Sequence, residues 1–199
     1  MPSRQQRNTS PLRTISDFKS KLTGGGARPN LFEVELAFPN AAKPDNENEV
    51  LEKARFLVKA AALPASTIAQ IDIPFRGRIL KIAGDRTFET WTITVINDVD
   101  FSIRSAFEKW MNTINKMNDG TGIVNPVDYQ KDATVHQLNR DGDILRSYKF
   151  WDVFPTNIST IDLNYETTDT VQEFTVEMQV HYWEAYRGSS SQAGGEDIT

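Results

Sequence analysis

The sequence contains no cysteine in 199 residues, which excludes disulfides, thiolate zinc sites and cysteine nucleophiles. Stability must then come from packing or from assembly. Only two histidines are present, His136 and His181, and neither has a neighbouring carboxylate at the spacing of a metal-ligand pair. No run of 18 apolar residues occurs, so no membrane-spanning helix is expected. The first 25 residues lack the apolar centre of a secretory signal, so the chain is expected to fold in a cytoplasm without stable membrane binding. Positive charge is also in deficit, with 22 Lys and Arg against 27 Asp and Glu and a net charge of −5. That balance argues against a groove that grips phosphates, because such binding depends on cations neutralising the nucleic-acid backbone.

What is present points to a soluble, β-rich domain. Hydrophobic residues make up 39% and charged residues 25%, proportions of a globular chain long enough to bury a core. The most informative stretch is 171–183, where Phe174, Val176, Met178, Val180 and Tyr182 alternate with Glu173, Thr175, Glu177, Gln179 and His181. This is the period of a strand with one wet face. Taken as one strand of that length it would span roughly 40 Å, so part of it is expected to reach beyond a monomer core into a shared sheet.

Further strands are expected at 31–38, 54–62, 68–73, 78–82, 90–97, 133–138, 143–153 and 159–165, with turns at Gly84 and Asp85 and at 139–142 and a break at 154–157. Residues 40–49 read as a polar, acidic loop. One helix is expected where Ile103, Ala106, Phe107, Trp110, Ile114 and Met117 recur at three and four, with Asp98 or Asp100 as N-cap and Gly120 past its end. The fold class is therefore mainly β, an antiparallel barrel or sandwich with one flanking helix. Residues 1–27 are expected to be a flexible arm, with a helical turn near 16–22, 28–186 the domain, and 187–199 a flexible tail.

No residue cluster assembles a nucleophile, a base and an oxyanion site. Gly24, Gly25 and Gly26 precede Arg28 and Pro29 instead of opening a helix, and so read as a hinge. Asp45, Glu47 and Glu49 lack the central glycine and final glutamate of a calcium loop. Asn8 and Asn157 head glycosylation triplets, which carry no meaning without secretion. Neither catalytic residues nor a cofactor or metal is expected, and an interaction or structural role leads over an enzyme.

Six separated segments carry a more specific signal: ARPNLF at 27–32, KAAALPA at 59–65, IAGDRTF at 82–88, WTITVIND at 91–98, FPTNI at 154–158 and YWE at 182–184. In this order they closely resemble the tail-tube proteins of contractile-tailed bacteriophages. The resemblance implies a β-barrel-like subunit that forms hexameric rings around a lumen and stacks into a tube, a fold similar to that of type VI secretion tubes. It also implies a contractile sheath, baseplate and tail-terminator proteins as partners, a place in the virion tail, and DNA passing through the lumen without specific binding. Two sets of site residues follow as expectations. Glu33, Glu35, Glu173 and Glu177, on the polar side of a sheet shared by 31–38 and 171–183, are candidates for a negative lumen wall. Arg76, Arg78, Lys81 and Arg86 are candidates for inter-subunit contact on a projecting hairpin. The alternatives are a tube subunit of another contractile injection system and a small-ligand β-barrel carrier, which would need a closed apolar pocket.

Overall fold

The computed structural model describes residues 14–22 and 26–187. Residues 1–13, 23–25 and 188–199, and with them most of the expected arm and tail, lie outside the described residues. In chain order the elements are α1 (Ile15–Lys21), β1 (Phe32–Glu35), a 3-10 turn (Asn40–Ala42), α2 (Glu47–Leu57) and β2 (Val58–Ala61). There follow β3 (Ser66–Phe75), β4 (Arg78–Phe88), β5 (Trp91–Ile96), α3 (Ser102–Ile114), α4 (Pro126–Tyr129), β6 (Lys131–Leu138), β7 (Ile144–Ile158), β8 (Glu173–Gln179) and β9 (Tyr182–Arg187). The chain is mainly β and antiparallel, as expected. One sheet runs β1-β6-β7-β8-β5-β2 with β9 also on β7, and β3 and β4 form a second sheet by themselves.

The longest strand is β7, and it continues through 154–157, where a break was expected. Pro155 is tolerated because the pairing with β8 is irregular there, with a register shift between Pro155 and Asn157. The expected single strand over 171–183 is instead β8 and β9, which pair with successive halves of β7. The chain kinks between them at Val180 and His181, opposite Asp152, whose φ is 55°. Both partners change phase at this kink: Phe150 gives way to Val153 in the core, and Val180 to Ala185. A slip on one strand alone would have turned its apolar set to water. The paired slip bends the sheet and keeps both strands packed.

Residues 54–62 were expected to be a strand, but α2 takes 47–57 and leaves only four residues to β2. Val50 and Ala54 recur at four and are buried, and Glu, Lys, Leu, Ala and Arg favour the helical state. The ion pair of Lys53 with Glu49 adds i,i+4 support within the helix, and Lys43 pairs with Glu47 at its start, in and beside what was expected to be a solvated loop. Residues 159–165 form no strand and no hairpin with β8.

Helix α3 lies where the helix was expected, with Ile103, Ala106, Phe107 and Trp110 as its buried face. Phe101, however, holds the N-cap position, and the helix ends at Ile114, leaving Met117 exposed beyond it. Asp98 does the capping from outside the first turn, accepting the Ser102 backbone N–H at 2.9 Å and the Ser102 hydroxyl at 2.6 Å. The Trp110 indole N–H donates to the Tyr129 carbonyl at 2.7 Å, tying α4 to α3. Within the core the Trp91 and Phe150 rings stack with centroids 4.4 Å apart, beside fully buried Ile93, Val95, Phe174, Val176 and Met178. The interior is therefore filled by side chains that a ligand carrier would need to give up.

Candidate assembly interface

The β3–β4 hairpin projects from the body. Its ten- and eleven-residue strands correspond to a reach of roughly 33 Å at strand rise, and none of their residues belongs to the core cluster. The chain reverses at Arg76 and Gly77, whose φ values of 45° and 82° make a two-residue turn of the type that matches strand twist. Gly84 and Asp85 are no turn. They stand opposite Ala69 alone as a bulge, where a Cβ on Gly84 would come within 3.0 Å of the Ala69 carbonyl oxygen.

Pairing across the hairpin divides it into two faces. Phe75 with Arg78, Ile73 with Leu80, and Ile71 with Ile82 lie on one; Pro74 with Ile79, Asp72 with Lys81, and Gln70 with Ala83 lie on the other. The first face is apolar and uncovered, with Ile71, Ile73, Phe75, Leu80 and Ile82 each 42–66% exposed. Two-stranded hairpins are at best marginal in water, and a contiguous apolar face of this kind marks an interaction surface. The four expected cations do share this hairpin. Arg76 and Arg78 sit at its tip, Arg76 over the Phe75 ring at 5.3 Å, Lys81 donates to Gln70 at 3.4 Å on the polar face, and Arg86 lies beyond the bulge. The apolar face was missed from the sequence, although Ile71, Ile73 and Phe75 alternate and Leu80 and Ile82 mirror them across the turn.

The four glutamates do not form one row. Strands β1 and β8 belong to one sheet, as expected, but β6 and β7 separate them, so the two pairs of glutamates stand at separate positions along it. Arg55 of α2 holds Glu35 at 2.6 Å and Glu33 at 3.5 Å, and Lys59 holds Glu173 at 2.6 Å. Glu177 is exposed and makes no ion pair among the described residues. It lies opposite Thr92, beside the Thr94 and Thr175 pair, on the wet face of β5 and β8.

His136 is mostly buried, with Nδ1 2.7 Å from the Ser147 hydroxyl and Nε2 3.5 Å from Glu35. Ser147 is fully buried, which bars a substrate from its oxygen and makes this a packing arrangement rather than a hydrolytic one. Between α2 and α3, Lys53 reaches Asp98 at 3.3 Å and Glu49 at 3.1 Å. Burial alone would raise the Asp98 pKa, but hydrogen bonds from Ser102 and Lys53 outweigh it and hold the carboxyl below its ordinary range.

The model of the phage tail tube protein family matches residues 27–186. Tail tube protein gp19 of Enterobacteria phage T4 is 34% identical over 164 residues, 81% of this chain and 93% of that protein. The tail tube protein of Serratia phage KSP90 is 26% identical over 171 residues, 84% of this chain and 94% of its own length. Among solved structures, the anti-feeding prophage tube terminating cap is similar at TM-score 0.59 and 16% identity, covering 81% of this chain and 91% of that chain. The sheath-tube complex of the extracellular contractile injection system PVC is similar at TM-score 0.53 and 14% identity, covering 85% and 97%. These two likenesses carry the fold.

Proposed function

The chain belongs to the phage tail tube protein family, and from that premise we propose that it forms hexameric rings that stack into the inner tube of a contractile tail. The observation that carries the assembly is the projecting hairpin with one uncovered apolar face. A second copy covers that face, and Arg76, Arg78, Lys81 and Arg86 steer the contact onto an acidic neighbour. Ring closure also pairs strand edges that otherwise invite aggregation. The tube sits in the virion tail after assembly in the host cytoplasm, with the sheath, baseplate and tail-terminator proteins as partners. Its role is structural, with no reaction catalysed.

The lumen conducts the genome without holding it. Glu177 on its threonine-rich wet face is the carboxylate best placed to act there uncompensated, with Glu33, Glu35 and Glu173 partly neutralised by Arg55 and Lys59. Repeated around each ring, even one free carboxylate repels phosphate, whereas a cationic wall would bind it. The fold shared with injection-system tubes supports a second reading, a tube subunit of such a system, which particles without capsids would identify.

Negative-stain microscopy of the purified protein tests the proposal. Six-fold rings or tubes with a central hole are expected. A monodisperse monomer at high concentration, still monomeric when other tail components are added, overturns it.

A further inference from the structure

Helix α1 is an amphipathic segment whose apolar stripe is uncovered. Ile15, Phe18 and Leu22 recur at three and four and are 76%, 64% and 47% exposed. Lys19 and Lys21 flank this stripe on either side, while Ser16, Asp17 and Ser20 take the far side. Thr14 and Asp17 form a capping box, the Asp17 N–H donating to the Thr14 hydroxyl at 3.2 Å and the Thr14 N–H to the Asp17 carboxylate at 2.9 Å. The sequence thus starts this helix locally, but seven residues are too few to be stable without a surface to pack on.

A surface of matching chemistry lies on α2. Asn48, Glu52 and Phe56 follow one another at four-residue spacing, and Phe56 is 79% exposed. Together with Glu33, Leu51 and Arg55 they line a shallow groove, apolar at Leu51 and Phe56 and rimmed by Glu33 and Glu52. Glu52 makes no ion pair among the described residues. The charges of the two parts are complementary. Residues 1–26 hold Arg4, Arg7, Arg13, Lys19 and Lys21 against Asp17, a net +4, and leave −9 on the rest of the chain. Those residues precede the region matched by the family, whereas α2 lies inside it.

We propose that α1 of one copy docks through Ile15, Phe18 and Leu22 into the α2 groove of a second copy, with the lysines that flank its stripe, Lys19 and Lys21, drawn to the unpaired Glu52. The arm thereby ties neighbouring subunits together. A second copy is the partner because both surfaces stay open at once within a single chain, and assembly supplies the other copy at high effective concentration. This inference rests on the tube reading.

The absence of cysteine makes the test direct. Ser20→Cys and Asn48→Cys, both at exposed positions, are purified separately, mixed in equal amounts, polymerised and treated with a bismaleimide. Its spacer exceeds the roughly 10–12 Å width of a helix, since Ser20 lies on the far side of α1. A heterodimeric cross-link is expected in the mixed tubes, reduced at least tenfold when Phe18→Asp is added to the Ser20→Cys chain. Tubes without that cross-link overturn the docking and leave the tube reading standing. An intramolecular cross-link in dilute Ser20→Cys, Asn48→Cys double variant, with none between chains, overturns the choice of partner. No rings or tubes by microscopy overturns the tube reading and this inference together.

Discussion

Ile73 lies at the middle of the hairpin's apolar face, with Leu80 across from it and Ile71 and Phe75 along its own strand. Replacing it by aspartate separates assembly from folding. Fully burying an apolar side chain is worth about 1.5–3 kcal/mol, so covering the exposed half of Ile73 contributes about 1 kcal/mol, and the five-residue face about 5 kcal/mol. Ile73→Asp forfeits that share and places a carboxylate in the contact without a partner, a further cost of about 2 kcal/mol or more. The sum, about 3 kcal/mol per contact, corresponds to a rise of roughly a hundredfold in the concentration needed for polymerisation. The monomer should be unaffected within about 0.5 kcal/mol, because no hairpin residue belongs to the core cluster. Thermal melting of the unassembled variant measures the folding arm, and sedimentation with negative-stain microscopy the assembly arm. Gln70→Glu, on the opposite face, is the control and should polymerise as wild type. Tubes of Ile73→Asp at the wild-type critical concentration would refute the assignment of this face, and an unfolded monomer would refute the hairpin's independence from the core.

Arg86→Glu should leave the monomer folded and weaken polymerisation by a smaller factor, about fivefold to tenfold, with the defect fading in high salt; equal tube length and yield by microscopy would make Arg86 a solvated hairpin residue. Val176 is fully buried and paired with Ile93, so Val176→Asp should cost several kcal/mol and abolish soluble expression. Asp98→Ala removes a capping acceptor and should cost about 1 kcal/mol at neutral pH. Because folding lowers the Asp98 pKa, its contribution is present above the ordinary aspartate value of about 3.9 and lost as pH falls through the lower folded value, so melting curves of wild type and variant should converge only below about pH 4. Glu177→Lys should preserve tubes while slowing DNA ejection, most at low salt where a lysine holds phosphate best; ejection kinetics equal to wild type at low salt would place Glu177 away from the DNA.

Local periodicity determined much of this protein. The alternation of Trp91, Ile93 and Val95 in β5, and of Phe174, Val176 and Met178 in β8, needs only the two-residue period of a strand with one buried face. The three-and-four spacing of α3 is equally local. Glu33 and Glu35 were legible as residues on the face opposite buried Val34 for the same reason, and they are half-buried there. Tertiary structure decided the rest. Residues 47–57 are helical because Val50 and Ala54 find a core to enter, and apolar spacing in so short a run does not distinguish a buried strand from a helix. The kink at Val180 and His181 exists because β7 bends opposite it at Asp152, a coupling between strands far apart in sequence. The neutralisation of Glu35 by Arg55 and of Glu173 by Lys59 likewise depends on which strands and helices meet. The apolar residues of the hairpin look like core in the sequence, and only their pairing with each other alone leaves them on the surface, because hydrophobic pattern specifies that a face must be covered and not which molecule covers it.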